Sequence, residues 1–355
     1  MWKKEKRQIC PKIHYKKTEQ GIEITGCYGP QGQLILPDEI EGIPVTRIAA
    51  YAFAEKPEDE GEYVFVSEGG SLSSAGSRVC ASQVTQIWLP SQVTEIGRYA
   101  FYRCRNLKRL ILTDSLLDIG GGAFTGCRLE EVEIHFYQGE RSCLKSIVDE
   151  IRFAIRAKLY YHKKEAGREE YIETAEVLFP EHYEEAVENT PARILETRRH
   201  GAGGYYRQCF YNRELDYKKY DELLYRTVAE ESLQTAAELV LGRLRHPFRL
   251  AEDGREAYVS YLCAHREEAV KFLVETEDME GMKFLAGQGY LTVSALDYAL
   301  EWAAKSKKTI KPIGSHPASP LVQDKDKARK CHIHEPHLEI QFIAGRSQNL
   351  SAYAI

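Results

Sequence analysis

One nine-residue phrase is written three times in the first third of this 355-residue chain. Val45-Thr-Arg-Ile-Ala-Ala-Tyr-Ala-Phe53 returns as Val93-Thr-Glu-Ile-Gly-Arg-Tyr-Ala-Phe101, and then as Leu116-Leu-Asp-Ile-Gly-Gly-Gly-Ala-Phe124. The last two copies stand 23 residues apart, and the first stands 48 before the second, which is one period plus an insertion of about 25. A fixed period in the twenties confines the chain to a solenoid whose successive turns stack into one core.

Between the copies lie Val84-Thr-Gln-Ile-Trp-Leu89, Leu107-Lys-Arg-Leu-Ile-Leu112 and Leu129-Glu-Glu-Val-Glu-Ile134. Each ends in an alternation of the kind a short strand needs when only one face meets a core. Stacked in parallel, these strands would send Trp88, Ile111 and Glu133 to the concave face. The return segments would stack Phe53, Phe101 and Phe124 inside. Cys104 and Cys127 each follow their Phe by three residues, and a free cysteine repeated at one position reads as a small buried packing group.

Ala100-Phe-Tyr-Arg-Cys-Arg-Asn-Leu-Lys-Arg-Leu-Ile-Leu112 and Trp88-Leu-Pro-Ser-Gln-Val-Thr-Glu-Ile-Gly97 resemble the BspA-like leucine-rich repeats. The resemblance covers residues 21–138. It implies an extended binding surface with no catalytic position, in a family many of whose members sit on bacterial cell surfaces. Two departures are Glu41-Gly-Ile-Pro44 with the long insertion after Phe53, and one residue fewer between Cys127 and Val132.

The rest of the chain divides by composition. Residues 1–20 form a lead-in. Gly21-Ile-Glu-Ile-Thr25 alternates as a strand, and Leu34-Ile-Leu-Pro37 corresponds to Ile87-Trp-Leu-Pro90. The insertion, residues 56–82, carries Tyr63-Val-Phe-Val66 and a Gly/Ser run. It reads as a tolerated insertion or a binding loop. Residues 139–216 read as a mixed α/β cap and joint, because a solenoid end exposes its core. Within it the spacing predicts a helix over 144–151, strands over 153–159 and 176–179, and a short helix over 181–188. From 217 to 311 apolar stripes such as Leu233, Ala237, Val240, Leu241 and Leu244 predict short paired helices. The segment Met279 to Leu300 is similar to ankyrin repeats in rhythm, without their Thr-Pro-Leu-His signature. Residues 312–355, interrupted by proline and charge, predict an unstructured tail.

The expected fold class is therefore α/β followed by α: a short leucine-rich repeat solenoid with a parallel sheet, the cap, and a helical-hairpin domain. Lys and Arg total 48 against 53 Asp and Glu, a net charge of −5 that makes no case for nucleic acid. No apolar run reaches membrane-span length, and the basic start is followed by no apolar segment of a secretory signal. Nine cysteines without a C-x-x-C suit a reducing cytoplasm.

Reactions leave little trace in the sequence. Ser142-Cys-Leu-Lys145 lacks the companion motifs of an acyl enzyme. Cys331-His-Ile-His-Glu-Pro-His337 reads as incidental metal capture within the tail, so no cofactor is expected. The sequence predicts a non-enzymatic cytoplasmic scaffold that binds a protein or peptide. Its contacts would be Trp88, Lys108, Arg109, Ile111, Glu131 and Glu133 on the concave sheet, or Tyr205, Tyr206 and Arg207 in an aromatic-basic patch. Two alternatives stand beside it: an enzyme whose site uses His200, Arg207 and tyrosines at the joint, and an exported surface adhesin.

Overall fold

Each copy of the repeated phrase supplies one turn of a solenoid of about five turns over residues 22–161. The computed structural model describes residues 10–29, 32–58, 61–67, 77–164, 170–189, 194–305, 309–312 and 340–343. Two units divide the chain: Met1–Glu231 with His246–Gly254, and Ser232–Arg245 with Arg255–Ile355.

The first unit runs through β1 (Lys12–Thr18), β2 (Gly21–Tyr28), β3 (Gln33–Ile35), β4 (Glu39–Ile40), β5 (Ile43–Ile48) and β6 (Tyr63–Val66). It continues with β7 (Gln86–Trp88), β8 (Glu95–Ile96), β9 (Arg109–Thr113), β10 (Asp118–Ile119), β11 (Glu131–Phe136), β12 (Ile155–Lys163) and β13 (Tyr171–Phe179). Strands β3, β7, β9, β11 and β12 lie parallel and in register, with Leu34 beside Ile87, then Leu110, Val132 and Ala157. Strand β13 completes this six-stranded sheet, antiparallel to β12. The return paths build a second sheet in the order β10-β8-β5-β2-β1-β6, with β4 on β5. The insertion thus contributes β6, which pairs with β1.

The aromatic ladder forms as expected. Phe53, Phe101 and Phe124 are buried and stack at 5.2 and 5.3 Å, with ring planes 7° and 10° from parallel. The backbone repeats with them: Phe53 N–H donates to the Ala100 carbonyl at 2.8 Å, and Phe101 N–H to that of Ala123 at 2.9 Å. Each repeat cysteine closes onto the turn before it, Cys104 Sγ donating to the Phe53 carbonyl at 3.5 Å and Cys127 Sγ to that of Phe101 at 3.1 Å. Burial pushes both thiols up, Cys127 to about 12, which leaves them unreactive packing groups. Tyr51, Tyr99 and Gly122 hold the same place in the phrase, with φ of 55°, 52° and 71°. A left-handed backbone costs a tyrosine about 1–2 kcal/mol, a strain opposed here by the stacking of Tyr51 on Tyr99 at 5.2 Å.

The cap departs from expectation in two places. Helix α1 (Leu144–Glu150) forms, but β12 is a further parallel strand of the repeat sheet rather than part of a separate cap. Where a helix was expected over 181–188 the chain forms β14 (Tyr183–Asn189), paired with β15 (Ile194–His200). Next come α2 (Gly203–Tyr206), the two-residue strands β16 (Phe210–Tyr211) and β17 (Glu214–Leu215), α3 (Tyr217–Asp221) and α4 (Leu224–Glu230).

The helical pattern past Tyr217 is present. In the second unit, α5 (Leu233–Arg245) buries Ala236, Ala237, Val240, Leu241 and Leu244, although Leu233 is exposed. Helix α6 (Glu252–Ala264) buries Tyr258, Tyr261 and Leu262. It is followed by α7 (Arg266–Glu275), α8 (Met279–Gly287) and α9 (Val293–Lys305), and α7 packs between α5 and α9. Asp278 caps α8, accepting from Gly281 N–H at 2.9 Å, and pairs with Arg245. The expected tail contains structure: β19 (Ile340–Ile343) pairs antiparallel with β18 (Thr309–Pro312). The Cys331–His337 cluster lies outside the described residues.

Candidate binding face

Alternation along each strand turns every second side chain away from the core, and the parallel register lines these up across strands. One row runs Gln33, Gln86, Arg109, Glu131, Arg156, and the next runs Ile35, Trp88, Ile111, Glu133, Lys158. Strand β13 sets Glu176 beside Lys158.

The apolar half of the second row corrects an expectation. Ile35, Trp88 and Ile111 cluster together, and Ile111 is 0 % and Trp88 8 % exposed. Both occupy the outward side by register, yet they are buried there and offer almost no surface to a partner. Glu133 is buried as well. What remains accessible is Gln33 and Gln86 at one end of the face and a run of charges beside them.

Those charges form a connected lattice. Arg109 Nε lies 2.7 Å from Glu131 and its terminal nitrogen pairs with Glu133. Lys158 Nζ lies 2.9 Å from Glu131, while Arg156 stands 3.9 Å from Glu131 and 3.6 Å from Glu176. Lys108, ahead of β9, pairs with Glu130 at the exposed margin. Partly exposed pairs of this kind stabilise a fold by about 1 kcal/mol or less each. Their arrangement matters more for what can dock on them.

Beyond the lattice the same face carries two histidines. His135 Nε2 lies 2.9 Å from Glu133, His135 Nδ1 lies 2.9 Å from His162 Nε2, and His162 Nδ1 lies 3.1 Å from Glu170. Tyr160 stacks on His135 at 4.8 Å and Tyr137 on His162 at 4.2 Å. Burial by itself raises the Glu133 carboxyl, but the His135 hydrogen bond and the Arg109 charge outweigh it and hold the group below the ordinary carboxylate range. The sequence reading missed Arg156, Lys158, Glu176, His135 and His162. The alternation Arg156-x-Lys158-x-Tyr160-x-His162 was present, but it only gains meaning once β12 is placed beside β11.

The second expected contact patch is dismantled by the fold. Arg207 is 2 % exposed and donates to five backbone carbonyls: Val148, Pro180, Gly203, Ile151 and Phe153, at 2.6 to 3.1 Å. Burial lowers it to about 10, so the guanidinium stays charged at neutral pH. Tyr206 is buried, its hydroxyl 2.7 Å from that of Thr227. Tyr205 is half-buried, with Arg226 over its ring at 3.8 Å. The Gly-rich turn at residues 201–204 serves packing: Gly201 has φ +82°, and a Cβ on Gly203 would overlap the Pro180 carbonyl. His200, the expected centre of an enzymatic site, stacks on Tyr183 at 4.3 Å and lies 3.4 Å from Glu185. A shallow cleft of about 490 Å³ lies elsewhere in this unit, between Lys163, Glu173, Thr174 and the Pro247–Arg249 turn.

Among the described residues no group of His, Cys, Asp and Glu could hold a metal ion. Among them, too, no helix is long and apolar enough to cross a membrane. Residues 78–166 match the family model described as BspA type leucine-rich repeat region, in six copies. Neither the curated proteins nor the solved structures contain a match to the chain.

Proposed function

We propose, from the premise that residues 78–166 are BspA-type leucine-rich repeats, that this protein is a non-catalytic cytoplasmic scaffold holding a protein or peptide partner on the outward face of its six-stranded sheet. Repeats of this family suggest an interaction or adhesion role and are typically non-enzymatic. The observation that carries the reading is the charge lattice of Arg109, Glu131, Arg156, Lys158 and Glu176, spread over four adjacent strands. A partner presenting alternating charges can exchange these internal pairs for intermolecular ones without stranding a buried ion, which gives selectivity and fast encounter. The helix pairs of the second unit are assigned a similar binding role. The cytoplasmic assignment is supported by nine cysteines scattered along the chain without a C-x-x-C, which do not make the framework of a disulfide-stapled secreted domain.

The test is affinity capture from native lysate with the wild type and with an Arg156→Glu, Lys158→Glu double variant that circular dichroism shows to be folded. A specific protein retained by the wild type and lost by the variant is the expected result. Identical capture by both would refute this face as the binding surface.

A further inference from the structure

Strand β13 ends the six-stranded sheet, so one of its sides faces β12 and the other is an edge. At Leu178 both backbone groups turn to that edge: the N–H donates to the Tyr220 hydroxyl at 2.9 Å, and the carbonyl accepts from the same hydroxyl at 2.6 Å. Alternation puts the N–H and C=O groups of Glu176, Thr174 and Ile172 on the same side. The far part of the edge is closed, by Tyr220 at Leu178 and by Pro247, which forms an antiparallel bridge opposite Ala175. Over Ile172 and Thr174 no further strand pairs with β13 among the described residues. An edge left open in this way is a template for another strand.

The cleft of about 490 Å³ lies along this open stretch, lined by Lys163, Glu173, Thr174, Pro247, Phe248 and Arg249. Its wall is set in advance. Phe248 stacks on Tyr161 at 4.1 Å, and Arg249, with a left-handed φ of 51°, reaches Glu140 at 2.6 Å. Tyr161 and Lys163 project on the same side of β12. The Lys163 Nζ stands 5.8 Å from the Tyr161 ring and 6.0 Å from the Phe248 ring. Arg249 is thus neutralised by Glu140. Lys163 is half-buried against the two rings, and among the described residues no carboxylate pairs with it, Glu173 of the cleft lining included.

We propose that this cleft takes an extended peptide, which joins β13 as a seventh strand over Ile172 and Thr174 and sets a carboxylate side chain on Lys163 and an apolar one against Phe248. Backbone bonds to the edge supply affinity, and the alternate side chains that enter the cleft supply selectivity. Lys163 selects the acidic residue, because its ammonium gains there the charge-assisted hydrogen bond it lacks within the fold. The acidic and the apolar residue stand two positions apart in the ligand, since only every second side chain of a strand enters one face. A wall already held by Tyr161 and Glu140 lowers the ordering cost of binding. The edge and the outward face are different surfaces of one sheet, and either can bind without the other.

The probe is a fluorescein-labelled six-residue peptide, blocked at both ends, in which threonine alternates with valine, glutamate and valine. Its binding to the full-length protein is followed by fluorescence anisotropy. Saturable binding is expected, weakened at least about tenfold when lysine replaces the glutamate and again when every backbone amide is N-methylated. Lys163→Glu, shown by circular dichroism to be folded, reverses the preference, so that the lysine peptide binds the tighter. The outward-face variant Arg156→Glu, Lys158→Glu binds the probe as the wild type does. No saturable binding, equal binding of the N-methylated peptide, an unchanged preference in Lys163→Glu, or loss of the probe in the outward-face variant would each overturn the proposal. If Lys163→Glu does not fold, the lysine and N-methylated peptides decide with the wild type alone.

Discussion

Glu150 takes the place of the next solenoid turn for Phe124. Its Oε2 accepts the Phe124 N–H at 2.8 Å and its Oε1 accepts that of Gly122 at 2.9 Å. In the turns before, the same Phe amide donates to a backbone carbonyl, that of Ala100 or Ala123. One carboxylate from α1 thus ends a ladder that the backbone otherwise continues.

Removing that carboxylate leaves two N–H groups at the solenoid end without acceptors. Glu150→Ala is expected to destabilise the protein by about 1–3 kcal/mol, and Glu150→Gln, which keeps one acceptor, by less. Urea denaturation measures both. An unchanged midpoint for the alanine variant would show that the contacts contribute nothing to stability.

Arg207 joins the Ile151–Phe153 link, Pro180 and the Gly203 turn through carbonyls alone. Lysine has three donors on a flexible stem and cannot span five acceptors fixed in different directions. Arg207→Lys is therefore expected to cost about 2–5 kcal/mol, by stranding carbonyls and leaving a buried ammonium poorly paired. Thermal unfolding followed by circular dichroism reads this directly, and a lysine variant as stable as the wild type would contradict the cage.

Alkaline stability follows from the buried thiols. Cys127 and Cys143 are each raised by burial from 9.0 to about 12. A raised folded-state value means the unfolded chain loses its thiol protons first. The neutral thiols thus contribute stability that is whole below pH 9 and is lost as pH climbs toward 12. The wild type should lose Tm across that window, and Cys143→Ala should lose it less steeply. Parallel pH profiles for the two proteins would rule out Cys143 as a contributor.

The solenoid was legible because its signal is written repeatedly: three copies place Phe, Ala and the strand residues at one period, and stacking leaves them a single arrangement. Strand β12 was harder, since Ile155, Ala157, Leu159 and Tyr161 form a core face without a repeated phrase to mark the turn. The β14 strand was read as a helix because Glu184, Glu185 and Ala186 favour helices locally, and pairing with β15 overrides that preference. Arg207 and Tyr206 looked like a contact patch because residue type suits an interface and a core equally. Which one applies depends on Pro180 and Thr227, contacts that lie 27 and 21 residues away. His135 and His162 each sit in a strand-like alternation, but nothing local in the sequence pairs the two. Their meeting is a property of strand order.

The Phe-to-Ala amide bonds between turns carry a further consequence. They join backbone to backbone, so the same joint forms whichever two turns it links, and neither turn is marked as first or second. Height is therefore a modular property of this tower: a duplicated unit of 23 residues, the Phe101-to-Phe124 spacing, could enter between two turns and find both of its neighbours ready. Termination is not modular. The Phe ladder ends at Glu150, and in the other sheet β12 adds a last parallel strand that antiparallel β13 closes, so a chain could grow by duplication only ahead of Glu150 while keeping this finished end.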